Sequence, residues 1–190
     1  MALVTPFIFQ IVGYQNSGKT TFLNKLISKL TAVGINTATI KHHGHGGKPT
    51  VADNKDSSSH ITAGASASLV EGGGRLLLQV DDVEWTLVQK IKLISHMNLD
   101  VILIEGYKFE KFPKAVLIRH KEDVQLLEEL EKIELVLYES AAPDTEIVTY
   151  QRDDPNVLNW LVDYILKHIN MKKTDPTLKC TLCKGHLKKA

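Results

Sequence analysis

Gly13-Tyr14-Gln15-Asn16-Ser17-Gly18-Lys19-Thr20 fits the phosphate-loop pattern G-x-x-x-x-G-K-[ST] at every fixed position. An apolar run, Phe7-Ile8-Phe9-Gln10-Ile11-Val12, leads into it, and a helical pattern follows over 20–30. Strand, glycine loop and helix in that order are what the chemistry needs. Gly13 and Gly18 let the backbone turn its N–H groups onto phosphate oxygens, and the helix start adds partial positive charge. Lys19 is placed to reach the β/γ-phosphates, and the Thr20 hydroxyl to ligate Mg²⁺. The stretch predicts a bound nucleoside triphosphate.

Outward from the loop, the pattern predicts an α/β chain. Phe22, Leu23, Leu26, Ile27 and Leu30 recur at three- and four-residue spacing, and Gly34 is a plausible helix stop. A second strand follows over 35–41. Residues 42–67 are small and polar, with no apolar period long enough for a core element, and so long a stretch in a compact domain is usually functional. Two strand candidates, 67–71 and 75–80, flank Gly72-Gly73-Gly74 as in a hairpin. A helix is expected over about 84–97, and Val101-Ile102-Leu103-Ile104 reads as a buried parallel strand. Further strands are expected at 115–118 and 135–138, separated by an acidic helix over 122–132, with a last helix over about 155–169. The sum is a three-layer P-loop NTPase fold, with a mostly parallel sheet, right-handed crossovers and a β-hairpin extension. The folded domain is expected over 1–169, and the lysine-rich stretch 170–190 is expected to be a mobile tail.

Composition narrows the class. The chain has 190 residues, is 43 % hydrophobic and carries a formal charge of +1. It suits one α/β domain and gives no global attraction to nucleic acid or membrane. No apolar run approaches the roughly 18 residues needed to cross a bilayer, and no signal-peptide pattern precedes the first strand. Both cysteines, Cys180 and Cys183, fall in the tail, so no disulfide staples the body and a cytoplasmic location is expected.

Glu105 closes the buried strand and is followed by Gly106. In a parallel sheet that end shares an edge with the phosphate loop, so the carboxylate is placed to hold Mg²⁺ or its water shell. Asp100 lies at the opposite end and is discounted. Lys41-His42-His43-Gly44-His45, with His60 further on, follows the carboxyl end of strand two. Imidazoles suit zinc, but no cysteine joins them, so contact with phosphate or substrate is the better reading. Asn54-Lys55-Asp56 fails the guanine-reading motif N-K-x-D on spacing, because position 57 is Ser; the base stays undetermined. Asp53 and Asp56 are either metal helpers or solvated loop carboxylates. Cys180-x-x-Cys183-x-x-His186 is half a zinc site at most. The arginines are Arg75, Arg119 and Arg152. They look dispersed, none is expected in cis as a finger, and no water-orienting glutamine stands out beyond Gln15.

Taken together, 13–21, Lys41-His42-x-x-His45, Asp53, Lys55-Asp56-Ser57, His60, Ala63-Gly64-Ala65 and Ile104-Glu105-Gly106-Tyr107-Lys108 resemble the molybdopterin-guanine dinucleotide biosynthesis protein B (MobB) family. The likeness runs over roughly 1–169 and leaves the tail outside. It implies a homodimeric GTP-binding protein, weakly hydrolytic at most, that helps attach GMP to molybdopterin beside a separate MobA-like guanylyltransferase. By the same resemblance Gly13, Tyr14, Gln15, Asn16, Ser17, Gly18, Lys19, Thr20 and Thr21 hold GTP, and Thr20 and Glu105 hold Mg²⁺. Lys41, His42, His45, Asp53 and Asp56 would shape the site around the terminal phosphate or the incoming pterin. Where the family often has G-K-D-S, this chain has Asn54-Lys55-Asp56-Ser57. Two other classes compete: a metallochaperone-type GTPase, which calls for denser histidines, and a small-molecule kinase, which calls for several lid arginines.

Overall fold

The computed structural model describes residues 5–42, 55–81 and 84–174, with backbone alone at 55–58 and 171–174. It divides into two compact units, one comprising the chain up to His42 together with the chain from Lys90 onward, the other His43–Gln89.

The larger unit is built on a six-stranded parallel sheet in the order β2-β5-β1-β6-β7-β8. Its strands are β1 (Phe7–Gly13), β2 (Thr37–Lys41), β5 (Val101–Glu105), β6 (Lys114–Ile118), β7 (Ile133–Tyr138) and β8 (Thr149–Gln151). β1 lies at the centre and is buried on both faces, which is why it reads as a continuous apolar run. Phe7, Phe9 and Ile11 join Val101, Leu103, Ala115, Leu117, Leu135 and Leu137 in one core layer. That layer is covered by α1 (Lys19–Ala32) and α5 (Pro155–Thr174). Val12, Val116, Ile118 and Val136 point to the opposite face and pack with Leu126 and Leu130. The alternation is the period-two geometry of a strand.

α1 buries Phe22, Leu23, Leu26 and Leu30, and Ile27 packs against the same cluster, as the spacing predicts. It stops where expected. Gly34 N–H bonds the Thr31 carbonyl and Ile35 N–H the Leu30 carbonyl, each at 3.0 Å, a paired closure that satisfies the last turn.

The smaller unit holds α2 (Lys55–Thr62) and a hairpin of β3 (Ala67–Gly72) and β4 (Arg75–Val80), turned at Gly73-Gly74 as expected. α3 (Leu87–Ile94) begins in this unit and runs into the larger one. Its start is a reciprocal cap: Gln89 N–H bonds Thr86 Oγ1, and Thr86 N–H bonds Gln89 Oε1. Leu69, Leu76, Leu77 and Leu78 of the hairpin are exposed.

Three expectations need correction, and a short helix, α2, adds to the stretch 42–67 that was read as holding no core element. β8 was not expected at all. The last helix runs on to Thr174, five residues into the stretch read as tail. The acidic segment is not one helix: Lys121–Gln125 is a 3₁₀ turn, followed by the short α4 (Leu126–Glu129). The cause is Asp123, whose carboxylate accepts the backbone N–H of Arg119 at 2.8 Å and of His120 at 3.0 Å, tightening the first turn.

Candidate nucleotide site

The loop of residues 14–18 leaves the carboxyl end of β1, and Gly18 sits at the N-cap of α1 in a left-handed conformation. Gly13 cannot be replaced without strain. Its φ is +151°, and a Cβ there would lie 2.8 Å from the Leu117 carbonyl oxygen and 2.8 Å from Ser17 Oγ. Ser17 is buried, while Gln15 and Asn16 are exposed at the tip. The first-turn N–H groups of α1 have no acceptor within the helix and are left for an anion. The Lys19 ammonium folds back onto its own loop, donating to the Tyr14 carbonyl and, at 3.3 Å, to Ser17 Oγ. Burial holds its pKa below the ordinary lysine value. Glu105 opposes that shift, while Lys41 and Lys108 add to it.

Thr20, Glu105 and Lys41 meet beside this loop. Thr20 Oγ1 donates to Glu105 Oε1 at 2.8 Å, and Lys41 Nζ lies 3.0 Å from Thr20 Oγ1 and 3.2 Å from Glu105 Oε1. Register explains the meeting: Ile11 pairs with Glu105, and Lys41 pairs with Glu105 from the other side. A hydroxyl and a carboxylate oxygen in contact are the hard donors that Mg²⁺ takes, with water and phosphate completing the shell. The residues therefore fit that ion, and the Lys41 ammonium here makes the contacts the ion would make.

The turn after Glu105 is held from two directions. Gln10, fully buried in β1, donates through Nε2 to the carbonyls of Gly106 (3.2 Å) and Tyr107 (2.9 Å). Lys114, with no exposed surface, donates to the carbonyls of Lys108 (3.2 Å) and Glu110 (2.6 Å), and its burial lowers its pKa. Gly106 has φ +90°, and a Cβ there would press to 3.2 Å on the His42 Cβ. The His42 ring lies 4.7 Å from that of Tyr107, whose hydroxyl contacts Lys90 Nζ at 2.6 Å.

The structure thus brings together the loop residues, Lys41 and Glu105, with His42 beside the turn that follows Glu105. Thr21 lies in the first turn of α1, exposed. His45 and Asp53 lie outside the described residues, as do the side chain of Asp56 and the Cys180, Cys183 and His186 cluster. One expectation is overturned. The arginines are not all dispersed: Arg119 and Arg152 converge on Glu139, through Arg119 Nε to Oε2 (3.3 Å) and Arg152 Nη1 to Oε2 (3.1 Å). Arg119 Nη1 also donates to the Asn16 carbonyl at 3.2 Å, and Arg152 Nη1 would lie 3.5 Å from a Cβ at Gly18. Sequence reading missed this trio, although Arg119 and Glu139 each follow an apolar strand directly, the signal that singled out Glu105.

Sheet order, the glycine loop between β1 and α1, and the contact of Thr20 with Glu105 beside it define a P-loop NTPase-like α/β protein. The family model described as "Molybdopterin guanine dinucleotide synthesis protein B" matches residues 8–139. A Bacillus subtilis (strain 168) protein, "Probable molybdopterin-guanine dinucleotide biosynthesis adapter protein", is 38 % identical over 174 residues, covering 89 % of this chain and 97 % of the relative. The crystal structure of Bacillus subtilis MobB superposes with a TM-score of 0.71 at 36 % identity, over 82 % of this chain and 96 % of that one. A MobB homolog from Bacillus stearothermophilus gives 0.69 at 31 % identity, over 84 % and 98 %. The chain belongs to the MobB family.

Proposed function

We propose that this chain is a GTP-binding adapter in molybdopterin-guanine dinucleotide biosynthesis, acting with Mg²⁺ and beside a guanylyltransferase that uses molybdopterin. The observation that carries the reading is the meeting of Thr20, Glu105 and Lys41 at the mouth of a complete phosphate loop. The adapter role rests on family membership and on the relatives' names. A homodimer is supported by the exposed leucines of the β3–β4 hairpin, an apolar surface of the kind that marks protein contacts. No helix among the described residues is long and apolar enough to cross a membrane, which suits a cytoplasmic adapter.

A reconstituted assay tests the role. With a guanylyltransferase, molybdopterin and saturating GTP, adding this protein should raise the rate of dinucleotide formation, and Lys19→Ala should not. Equal rates with and without the parent protein would reject it.

Hydrolysis should stay slow. Glu105 and Lys41 stand on β5 and β2, to one side of the loop, whereas Arg119 and Arg152 follow β6 and β8 on the other. A finger must reach the terminal phosphate, at the metal end, and such a residue contributes around 10³–10⁵ in rate. Turnover of GTP by the isolated protein above about 1 s⁻¹, far beyond finger-less GTPases, would show that one of these arginines swings across.

A further inference from the structure

We propose that Glu139, clamped between Arg119 and Arg152, is the residue that selects guanine; the inference rests on the nucleotide reading above and deepens it. The site has a direction. Lys19, Thr20, Glu105 and Lys41 mark the β/γ-phosphate and metal end, on the β5 and β2 side of β1. A nucleotide lying along the loop therefore carries its nucleoside the other way, over the carboxyl ends of β6, β7 and β8. Those three strand ends supply Arg119, Glu139 and Arg152.

The trio is joined to the loop at its exposed tip through Arg119 and the Asn16 carbonyl, and lies beside the start of α1 through Arg152 and Gly18. Both guanidiniums contact the same carboxylate oxygen, Oε2. The carboxylate is about one-third exposed, and Oε1 accepts no hydrogen bond among the described residues. Oε1 is thus the open acceptor of the cluster, and the group it suits is one that presents N–H donors. An ionised carboxylate is an acceptor only. Guanine offers two adjacent donors on one edge, N1–H and the 2-amino group, matched to two carboxylate oxygens. Adenine offers an unprotonated N1 and no 2-amino group there, leaving Oε1 without a donor. The two arginines fix the Glu139 carboxylate in place.

The test is calorimetric titration of the parent and of Glu139→Gln, which keeps the side chain's shape but replaces one acceptor oxygen by a donor. The ligands are GTP, ITP, ATP and inorganic tripolyphosphate, each with Mg²⁺. In the variant, GTP affinity should fall at least tenfold, as loss of a hydrogen bond to a charged group implies, while ATP and tripolyphosphate stay within about twofold. In the parent, ITP, which lacks the 2-amino group, should bind several-fold more weakly than GTP, a readout that needs no variant to fold. Unchanged GTP affinity in the variant overturns the proposal, as does a parallel fall for all ligands, or equal GTP and ITP affinity in the parent. If the parent binds tripolyphosphate through Lys19 but takes GTP and ATP equally, only the role of Glu139 is lost. If it binds none of the four, the nucleotide reading itself fails with it.

Discussion

Replacing Lys19 by alanine should lower GTP affinity at least tenfold. Among the described residues the ammonium hydrogen-bonds its own loop, at Tyr14 and Ser17, and a triphosphate oxygen can take those contacts over. A hydrogen bond to a charged group contributes about 1.5–3 kcal/mol, and 1.4 kcal/mol is already a factor of ten. Calorimetry with Mg·GTP gives the number directly. The sign with pH follows from the lowered pKa: burial makes the free protein lose this charge at lower pH than an ordinary lysine, so affinity should begin to decline before that ordinary range is reached. An unaffected mutant would place the triphosphate elsewhere.

Phe9→Ala should cost about 3–5 kcal/mol of folding stability. Phe9 has no exposed surface and stands in the central strand, its ring centroid 5.8 Å from Tyr164 of α5 in an edge arrangement and 6.4 Å from Phe7. Truncation leaves a cavity between sheet and helix that packed neighbours on three sides cannot fill. For a chain of this size the melting temperature should drop by roughly 10 °C. Urea unfolding measures the loss, and a value under about 1 kcal/mol would mean that α5 collapses onto the gap.

These two residues were plain in the sequence because their signals are local. Lys19 belongs to a fixed spacing, and Phe9 to an unbroken apolar run. Glu105 was legible for the same reason, as the first carboxylate after a buried strand. Lys41 was named with the loop after strand two, but its contact with Glu105 needed the sheet order that brings β2 alongside β5. The Arg119, Glu139 and Arg152 trio needed more: three single residues, each after a different strand, assembled only by the order β6-β7-β8. β8 has three residues and too little pattern to be seen. The acidic segment misled for a different reason, since glutamates at helical spacing do not disclose that Asp123 bonds backward to the chain.

The placing of β1 has a consequence for how the protein is made. This apolar strand leaves the ribosome well before either of its sheet neighbours: Phe7 pairs with Val101, and Gln10 with Lys114. Translation at about 5–20 residues per second leaves β1 without a sheet partner for roughly 5–20 s. During that interval its backbone donors and its phenylalanines are open to any other chain, and the whole 43–89 unit is synthesised before the sheet can close around it. The element that carries the phosphate loop is thus also the one that most needs shelter during synthesis.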